Sequence, residues 1–165
     1  MRRRRLDDDP SEACILSQEG MFVEWDGVSW TQASLKHGLD LNRNFPVNWS
    51  PFEMFGMDSG EYPLSELESR VMMEAVIARP NIAVALTNHT YTGAILTQPY
   101  NANTPLSEQD IDVMESLAQQ SVRGTDYKVH RVFPDFTYDA KQLIIGVWAD
   151  CLTTTLGIPA YTLEL

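Results

Sequence analysis

Ile82-Ala83-Val84-Ala85-Leu86 is an uninterrupted apolar run near the middle of a chain of 165 residues. A run of this kind predicts a strand that is buried on both faces of a sheet. Patterns typical of helices precede and follow the run, so the sequence predicts an α/β domain. With 44% apolar and 21% charged residues, the chain has the composition of a globular protein with a sizeable core.

Upstream of this run, a first helix is predicted to begin at Ser65, because Ser65 and Glu68 form the pattern of a capping box. The helix should continue to about Pro80, which cannot extend it. Its apolar residues recur at the spacing of one helix face and are Leu67, Val71 and Ala75.

Downstream of the run, strands and helices continue to alternate. Ser107 with Asp110 opens a second predicted helix, whose apolar residues are Ile111, Met114 and Leu117. The remaining predicted elements are a strand over 129–133, a helix over 146–156 that Gly157 and Pro159 stop, and a last strand over 160–165. The sequence therefore predicts a mixed, mostly parallel sheet with helices on both faces.

The chain divides into two parts of different composition. Residues 1–37 carry a basic run, an acidic run and then Asp26-Gly27 between two apolar-rich runs, which is a strong hairpin signal. We interpret residues 1–37 as a peripheral excursion with a hairpin. Residues 38–165 contain the alternating strands and helices of the α/β part.

The charge and hydropathy of the chain exclude several classes of protein. A net charge of −11 argues against a nucleic-acid binder, which needs a cationic surface. No run approaches the roughly 18 apolar residues of a transmembrane helix, so no membrane partner is expected. Met1 to Arg5 is followed by an acidic run and not by an apolar stretch, so we do not expect this segment to act as a signal peptide. Cys14 and Cys151 leave the redox compartment open.

His89 lies just beyond the buried run, near the carboxyl end of a predicted strand. Ligands of open α/β sheets collect at this edge, and a neutral imidazole is a good zinc ligand. The alternative for His89 is a hydrogen-bonded structural histidine. Glu164 lies in the last predicted strand, where a buried carboxylate needs a partner or a function. The alternative for Glu164 is an exposed chain end.

Asn42 and Arg43 lie side by side in the stretch Gly38-Leu39-Asp40-Leu41-Asn42-Arg43-Asn44-Phe45-Pro46. A guanidinium matches a carboxylate with two parallel hydrogen bonds, and an adjacent amide adds a donor. The pair is therefore suited to holding a free carboxylate. The alternative is a capped turn with a structural salt bridge.

Five segments appear in a fixed order along the chain and together resemble the zinc metallocarboxypeptidases of the carboxypeptidase A/B family. They are residues 38–46, Pro63-Leu64-Ser65-Glu66-Leu67-Glu68, Asn88-His89-Thr90-Tyr91, Gln98-Pro99-Tyr100 and Gly157-Ile158-Pro159-Ala160-Tyr161-Thr162-Leu163-Glu164-Leu165. The resemblance covers about residues 38–165. It implies a carboxypeptidase-like, phosphorylase/hydrolase-type fold, with 38–165 as the central and C-terminal part of the catalytic domain.

The resemblance also implies an activity, which is zinc-dependent hydrolysis of the C-terminal residues of peptides and proteins. In that family a zinc ion polarises the scissile carbonyl and activates water. His89 matches the third zinc ligand, and Glu164 matches the catalytic glutamate that acts as general base and acid. Asn42 and Arg43 match the pair that binds the terminal carboxylate of the substrate.

Further roles follow from the same resemblance. Asp40 matches a carboxylate that orients a zinc-bound histidine, and Tyr91 matches a substrate-binding position. Arg2 is our candidate for the arginine that stabilises the oxyanion, with a solvated basic run as the alternative. Ala149 resembles a position lining the specificity pocket, and because it is not acidic it favours neutral or bulky substrate side chains. Tyr138 lies near the loop of the family's mobile tyrosine, but at a different spacing.

Two departures from the family concern the ends of the chain. The family's first two zinc ligands form a His-x-x-Glu pair, and this sequence contains none. The chain also stops one residue after Glu164. We therefore expect an internal fragment, or a truncated gene product, of a longer domain, incomplete in its fold and inactive alone. The alternatives are a zinc-less module that binds carboxylates without hydrolysis, and a family relative that acts on cell-wall peptides or amidated amino acids.

Overall fold

The computed structural model describes residues 22–25, 30–32, 38–51, 53–54, 57–90, 92–137 and 141–165. Its strands, in chain order, are β1 (Phe22–Trp25), β2 (Trp30–Gln32), β3 (Gly38–Leu39), β4 (Glu53–Met54), β5 (Met57–Asp58), β6 (Ala85–His89), β7 (Ala94–Thr97), β8 (Lys128–Arg131) and β9 (Ala160–Glu164). Its helices are α1 (Leu67–Ile77), α2 (Glu108–Ser121), α3 (Val132–Asp135) and α4 (Trp148–Leu156), and a 3-10 turn spans Leu41–Arg43. Within the described ranges, no helix combines the length and the apolar character needed to cross a bilayer.

The main sheet has four strands in the order β6-β9-β7-β8. β6 runs parallel to β9, and β7 runs parallel to β8, whereas β7 and β9 are antiparallel. The sheet is therefore mixed and mostly parallel, as the sequence predicts. A smaller sheet has the order β3-β5-β4, and β1 pairs antiparallel with β2. The predicted Asp26-Gly27 turn between β1 and β2 lies outside the described residues.

Helices cover both faces of the main sheet. On one face, Ala94 and Leu96 of β7 pack in a core cluster with Met73 of α1 and with the buried side of α4. On the other face, Ile95 of β7 packs against α2. The two faces alternate along β7 because successive side chains of a strand point to opposite sides. The predicted fold class is thus confirmed.

The third predicted helix ends at Gly157, as expected. Gly157 has a φ of 69°, and its amide donates to the carbonyl of Thr153, while the amide of Ile158 donates to Leu152. This left-handed end satisfies carbonyls that the helix leaves open. The helix begins at Trp148 and not at Gly146, because Gly146 has a φ of 59°.

The predicted capping box at Ser65 is wrong. α1 begins one residue later, with Glu66 at the N-cap position and no side-chain capping bond. The hydroxyl of Ser65 lies 3.0 Å from Nδ2 of Asn44 and donates to Glu66 Oε1, so it does not cap the helix. The predicted apolar face is also wrong, since Leu67 and Val71 are exposed and Met73 is buried instead.

The central apolar run forms a different strand from the one predicted. The strand covers 85–89 and not 82–86, because pairing with β9 begins where the amide of Ala85 donates to Pro159. It is not buried on both faces, since Leu86 is 60% exposed. β6 is an edge strand of the described sheet, and α2 packs on β7 and β9.

Two smaller corrections concern the later elements. In α2 the buried residues are Ile111, Met114 and Ala118, whereas the predicted Leu117 is exposed, because the buried positions recur at three and four residues. The strand predicted over 129–133 covers Lys128–Arg131, and the chain then turns into α3 at Val132.

Candidate functional site

His89 and Glu164 are the last residues of two neighbouring parallel strands. They are register partners across β6 and β9, and the amide of Leu165 donates to the carbonyl of His89 over 2.9 Å. On the other side of β9, Glu164 is opposite Ala94 of the antiparallel strand β7. The strand pairing thus brings a histidine and a carboxylate to the same carboxyl-end edge of the sheet, where ligands of α/β proteins bind.

Asn42 lies at this edge because of the 3-10 turn over 41–43. Its side-chain oxygen accepts a 2.9 Å hydrogen bond from the amide of Trp148, at the beginning of α4. That bond orients the amide group, so its Nδ2 faces His89 and lies 3.5 Å from Nε2 of the imidazole. The structure therefore brings Asn42, His89 and Glu164 together from three separate parts of the chain.

Asp40 and Arg43 form a capped turn with an ion pair. Asp40 Oδ1 accepts from the amide of Asn42 over 2.9 Å, and Asp40 Oδ2 lies 3.8 Å from Nε of Arg43. Arg43 also donates through an Nη to the carbonyl of Asn42 over 2.8 Å. These contacts fit the alternative interpretation of a capped turn, and they also hold the amide and guanidinium at one edge. The role of Asp40 beside a zinc-bound histidine stays a prediction.

The electrostatics of the edge favour a neutral histidine. Burial lowers the pKa of His89 below its ordinary value, while nearby Asp40 raises that pKa and nearby Arg43 lowers it. The neutral form is the one that binds a metal. Burial also raises the pKa of Glu164, which is 8% exposed, so the alternative of an exposed chain end is wrong for this residue.

Tyr100 and Thr162 form a buried hydrogen-bonded pair beside the site. The phenol oxygen of Tyr100 lies 2.9 Å from Oγ1 of Thr162, which precedes Glu164 by two residues on the same face of β9. Both side chains are buried, and burial raises the pKa of Tyr100 above its ordinary value. The charge of Arg43 lowers this pKa and the charge of Glu164 raises it, both by less than burial does.

Gly146 holds the turn from the side of α4. Its carbonyl accepts from the amide of Phe45 over 3.1 Å, and its amide donates to the carbonyl of Val47 over 2.8 Å. A β-carbon at this position would overlap the carbonyl group of Arg43 and lie 2.8 Å from its Cα. The turn that carries Asn42 and Arg43 therefore depends on a residue without a side chain at 146.

Asn44 holds the same turn from the opposite side and is fully buried. Its Nδ2 lies 2.8 Å from the carbonyl oxygen of Ser59 and 3.1 Å from that of Tyr62, and its Oδ1 accepts from the amide of Glu66. The side chain thus joins the turn to the segment that leads into α1. A supporting role for Asn44 or Gly146 was not predicted, although Asn44 belongs to the segment that contains Asn42 and Arg43.

The remaining predicted residues have different outcomes. Arg2, Tyr91 and Tyr138 lie outside the described residues, so their roles stay predictions. Ala149 is completely buried in the core cluster of α4. Within the described ranges, no group of three or more histidine, cysteine, aspartate or glutamate side chains is placed to hold a metal ion. His89 fits one position of a zinc site, and the described residues do not supply the rest.

Comparison with known proteins supplies a family match. The family model described as zinc carboxypeptidase matches residues 19–165. Carboxypeptidase A1 of Rattus norvegicus is 28% identical over 189 aligned residues, which cover 95% of this chain and 43% of the rat protein.

Solved structures share the fold. A carboxypeptidase A from Helicoverpa armigera is 24% identical with a TM-score of 0.60, and the match covers 78% of this chain and 33% of that chain. Bovine thrombin-activatable fibrinolysis inhibitor, in complex with tick carboxypeptidase inhibitor, is 23% identical with a TM-score of 0.62, and the match covers 78% of this chain and 46% of that chain. The chain thus spans less than half the length of these relatives.

Proposed function

The chain belongs to the zinc carboxypeptidase family, and from that premise we propose that it is part of a metallocarboxypeptidase that removes C-terminal residues from peptides. One observation carries the proposal, which is the meeting of Asn42, His89 and Glu164 at the carboxyl edge of the main sheet. An amide donor, an imidazole and a general base are three of the groups that this hydrolysis needs.

In this proposal Asn42 and Arg43 bind the terminal carboxylate of the peptide. The hydrogen bond from the amide of Trp148 holds the side chain of Asn42 in one orientation, so its Nδ2 donor already faces the edge before a peptide binds. Arg43 supplies the charge that an anionic chain end requires, with N–H donors in a fixed planar geometry. A peptide whose C-terminus is amidated lacks that charge and should bind less well.

Glu164 accepts a proton from the attacking water and returns it to the leaving amine. The raised pKa that burial gives to this carboxyl supports the role, because a carboxylate with a higher pKa is a stronger base. Its position next to His89 across two paired strands keeps the base beside the imidazole.

Zinc in this family supplies Lewis acidity at the scissile carbonyl. Of the described residues, His89 is the proposed ligand, and a catalytic zinc site needs three protein ligands. The sequence contains no His-x-x-Glu pair, so we propose that the other ligands come from polypeptide outside these 165 residues.

A second candidate function is a carboxylate-binding module without hydrolysis. It is favoured by one observation, the lack of a complete metal-ligand group in the part of the chain that the structure describes. Such a module would keep the contacts of Asn42 and Arg43 and would not depend on Glu164.

Two substitutions in a full-length, zinc-loaded protein separate binding from chemistry. Arg43→Ala should raise KM for peptides with a free C-terminal carboxylate by about tenfold or more, because charge-assisted hydrogen bonds are lost. Glu164→Gln should leave KM nearly unchanged and lower kcat by roughly a hundredfold or more, because the general base is removed. Steady-state kinetics on matched free-acid and C-terminally amidated peptides measure both effects.

Matched controls keep the result specific. Arg131→Ala removes an arginine that pairs with Asp112 and Glu115 away from the edge, and Glu74→Gln neutralises an exposed carboxylate of α1. Both controls should leave kcat and KM nearly unchanged. Near-normal turnover of Glu164→Gln would reject the catalytic proposal. Carboxylate binding by an unchanged protein that shows no turnover would instead support the module without hydrolysis.

A further inference from the structure

A cavity of about 240 Å³ lies beside α4, apart from the sheet edge described above. Neither His89 nor Glu164 lines it, and Asn42 and Arg43 do not line it either. Its walls are formed by residues that follow the 3-10 turn, by residues that follow β7 and by α4. The wall residues that matter here are Val47, Asn48, Asn101, Pro105, Asp150 and Thr154.

Asp150 gives the cavity its charge. The residue is 3% exposed, and its Oδ1 accepts a 2.9 Å hydrogen bond from Nε2 of Gln98. Gln98 is fully buried, and its Oε1 accepts from the amide of Tyr100, so both ends of this amide are held. The carboxylate therefore has a fixed position on the wall. Among the described residues, no ion pair involves Asp150.

The other wall residues add hydrogen-bonding groups but no positive charge. The described lining includes Asn48, Asn101 and three threonines, and it contains no lysine, arginine or histidine. Asn101 is fixed because its side chain donates to and accepts from the backbone of Ile144 over 2.8 Å. Val47 and Pro105 give the cavity a small apolar wall. A buried carboxylate without a cationic partner is costly, and a cationic ligand would relieve that cost.

We propose that this cavity binds a small organic cation, namely a primary ammonium group on a short aliphatic chain. The ammonium would donate to Asp150 and to the amide and hydroxyl oxygens, and the aliphatic chain would contact Val47 and Pro105. Size and ligand set disfavour a metal ion. A cavity of about 150 Å³ already holds a benzene molecule, and Asp150 is the one carboxylate among the described lining residues.

Nuclear magnetic resonance titration of the 165-residue chain tests the proposal. n-Butylammonium should shift the amide resonances of Thr154 and Thr155 saturably, with a Kd in the millimolar range. n-Butanol, which has the same shape without charge, should bind at least tenfold more weakly, and n-butyrate should not bind. Burial raises the pKa of Asp150 to about 6, so the affinity should fall as the pH is lowered through that value.

Variants locate the binding. Asp150→Asn should weaken n-butylammonium binding at least tenfold, whereas Asp126→Asn, an exposed aspartate outside the cavity, should not change it. If Asp150→Asn fails to fold, Val47→Phe gives a second test, because the larger side chain should fill the cavity and abolish the shifts. Equal binding by Asp150→Asn and the unchanged chain, or no saturable shifts in any titration, would overturn the proposal.

Two further titrations define the ligand. Nα-acetyl-lysine methylamide carries the same ammonium on a blocked peptide unit, so tighter binding than n-butylammonium assigns the site to a peptide lysine and weaker binding assigns it to a free amine. Both results keep the proposal. Competition by KCl at concentrations equal to those of n-butylammonium would instead indicate an inorganic cation site and would overturn it. None of these measurements depends on zinc or on peptide hydrolysis.

Discussion

At the scale of single residues, the orientation of Asn42 and Arg43, the proposed carboxylate-binding pair, depends on a contact between two backbones. Gly146 lies against the carbonyl of Arg43 and exchanges hydrogen bonds with Phe45 and Val47. Two restrictions coincide at this glycine. Its φ of 59° is unfavourable for other residues, and the space that a β-carbon needs is already filled by backbone.

Gly146→Ala should therefore destabilise the chain more than the same substitution at a glycine that has a left-handed φ but open space around it. Gly124→Ala is the matched control, because Gly124 has a φ of 82° and open space where its β-carbon would lie. We expect a loss of about 1–2 kcal/mol in the free energy of unfolding for Gly124→Ala, and a clearly larger loss for Gly146→Ala. Urea denaturation of the two variants measures the difference. Equal losses would mean that the turn adjusts to a side chain at 146.

The sequence alone could identify the candidate site residues by their chemistry, but it could not identify the residues that hold them in position. Asn42, Arg43, His89 and Glu164 stand out because amide, guanidinium, imidazole and carboxylate groups follow strand or turn patterns. Gly146 carries no such signal, because the backbone that excludes a side chain there comes from residues about a hundred positions away. Long-range packing of this kind has no local pattern.

At the scale of elements, α1 and α2 show how a cap depends on what else the serine contacts. Ser107 caps α2, since its hydroxyl accepts from the amide of Asp110 and donates to the carboxylate of Asp110. Ser65 carries the same sequence pattern, yet its hydroxyl is engaged with Asn44 and Glu66. The pattern predicts a cap correctly only where no tertiary contact competes for the hydroxyl.

Replacement of Ser107 tests this difference. Ser107→Ala should lower the free energy of unfolding by about 1 kcal/mol, because an orphan amide of the first turn loses its acceptor. Ser116→Ala, in the exposed interior of the same helix, should leave stability unchanged or raise it slightly, since alanine is the better helix former. Thermal unfolding of both variants provides the comparison. A smaller cost for Ser107→Ala than for Ser116→Ala would contradict the capping role.

The positions and types of elements were largely predictable, whereas their buried faces were not. Helices and strands occur near the predicted places, because capping residues, glycine and apolar runs are local signals. The predicted buried face of α1 was wrong because the α1 residue in the core cluster is Met73. Leu86 is exposed because β6 lies at the edge of the described sheet. The buried face of α1 and the exposure of Leu86 both depend on the order of the strands in the sheet, which cannot be predicted from local periodicity.

At the scale of the whole molecule, the described residues hold one proposed zinc ligand in a chain that spans less than half of its relatives. We therefore expect the 165-residue chain alone to bind zinc weakly, because one histidine cannot replace the three ligands of a catalytic site. Isothermal titration calorimetry should show no tight one-to-one binding, and His89→Gln should give the same result. A submicromolar stoichiometric site would contradict the proposal that further ligands come from outside this sequence.

The strand order β6-β9-β7-β8 also has a consequence for how the molecule is made. β9, the last strand along the chain, lies between β6 and β7, which do not pair with each other. A growing chain on the ribosome can form its hairpins and helices early, but the central position of the sheet stays vacant until residues 160–164 emerge. Long-range pairing of this kind is slow. His89 consequently meets Glu164 only after residues 160–164 have been made, so shorter nascent chains lack this pairing.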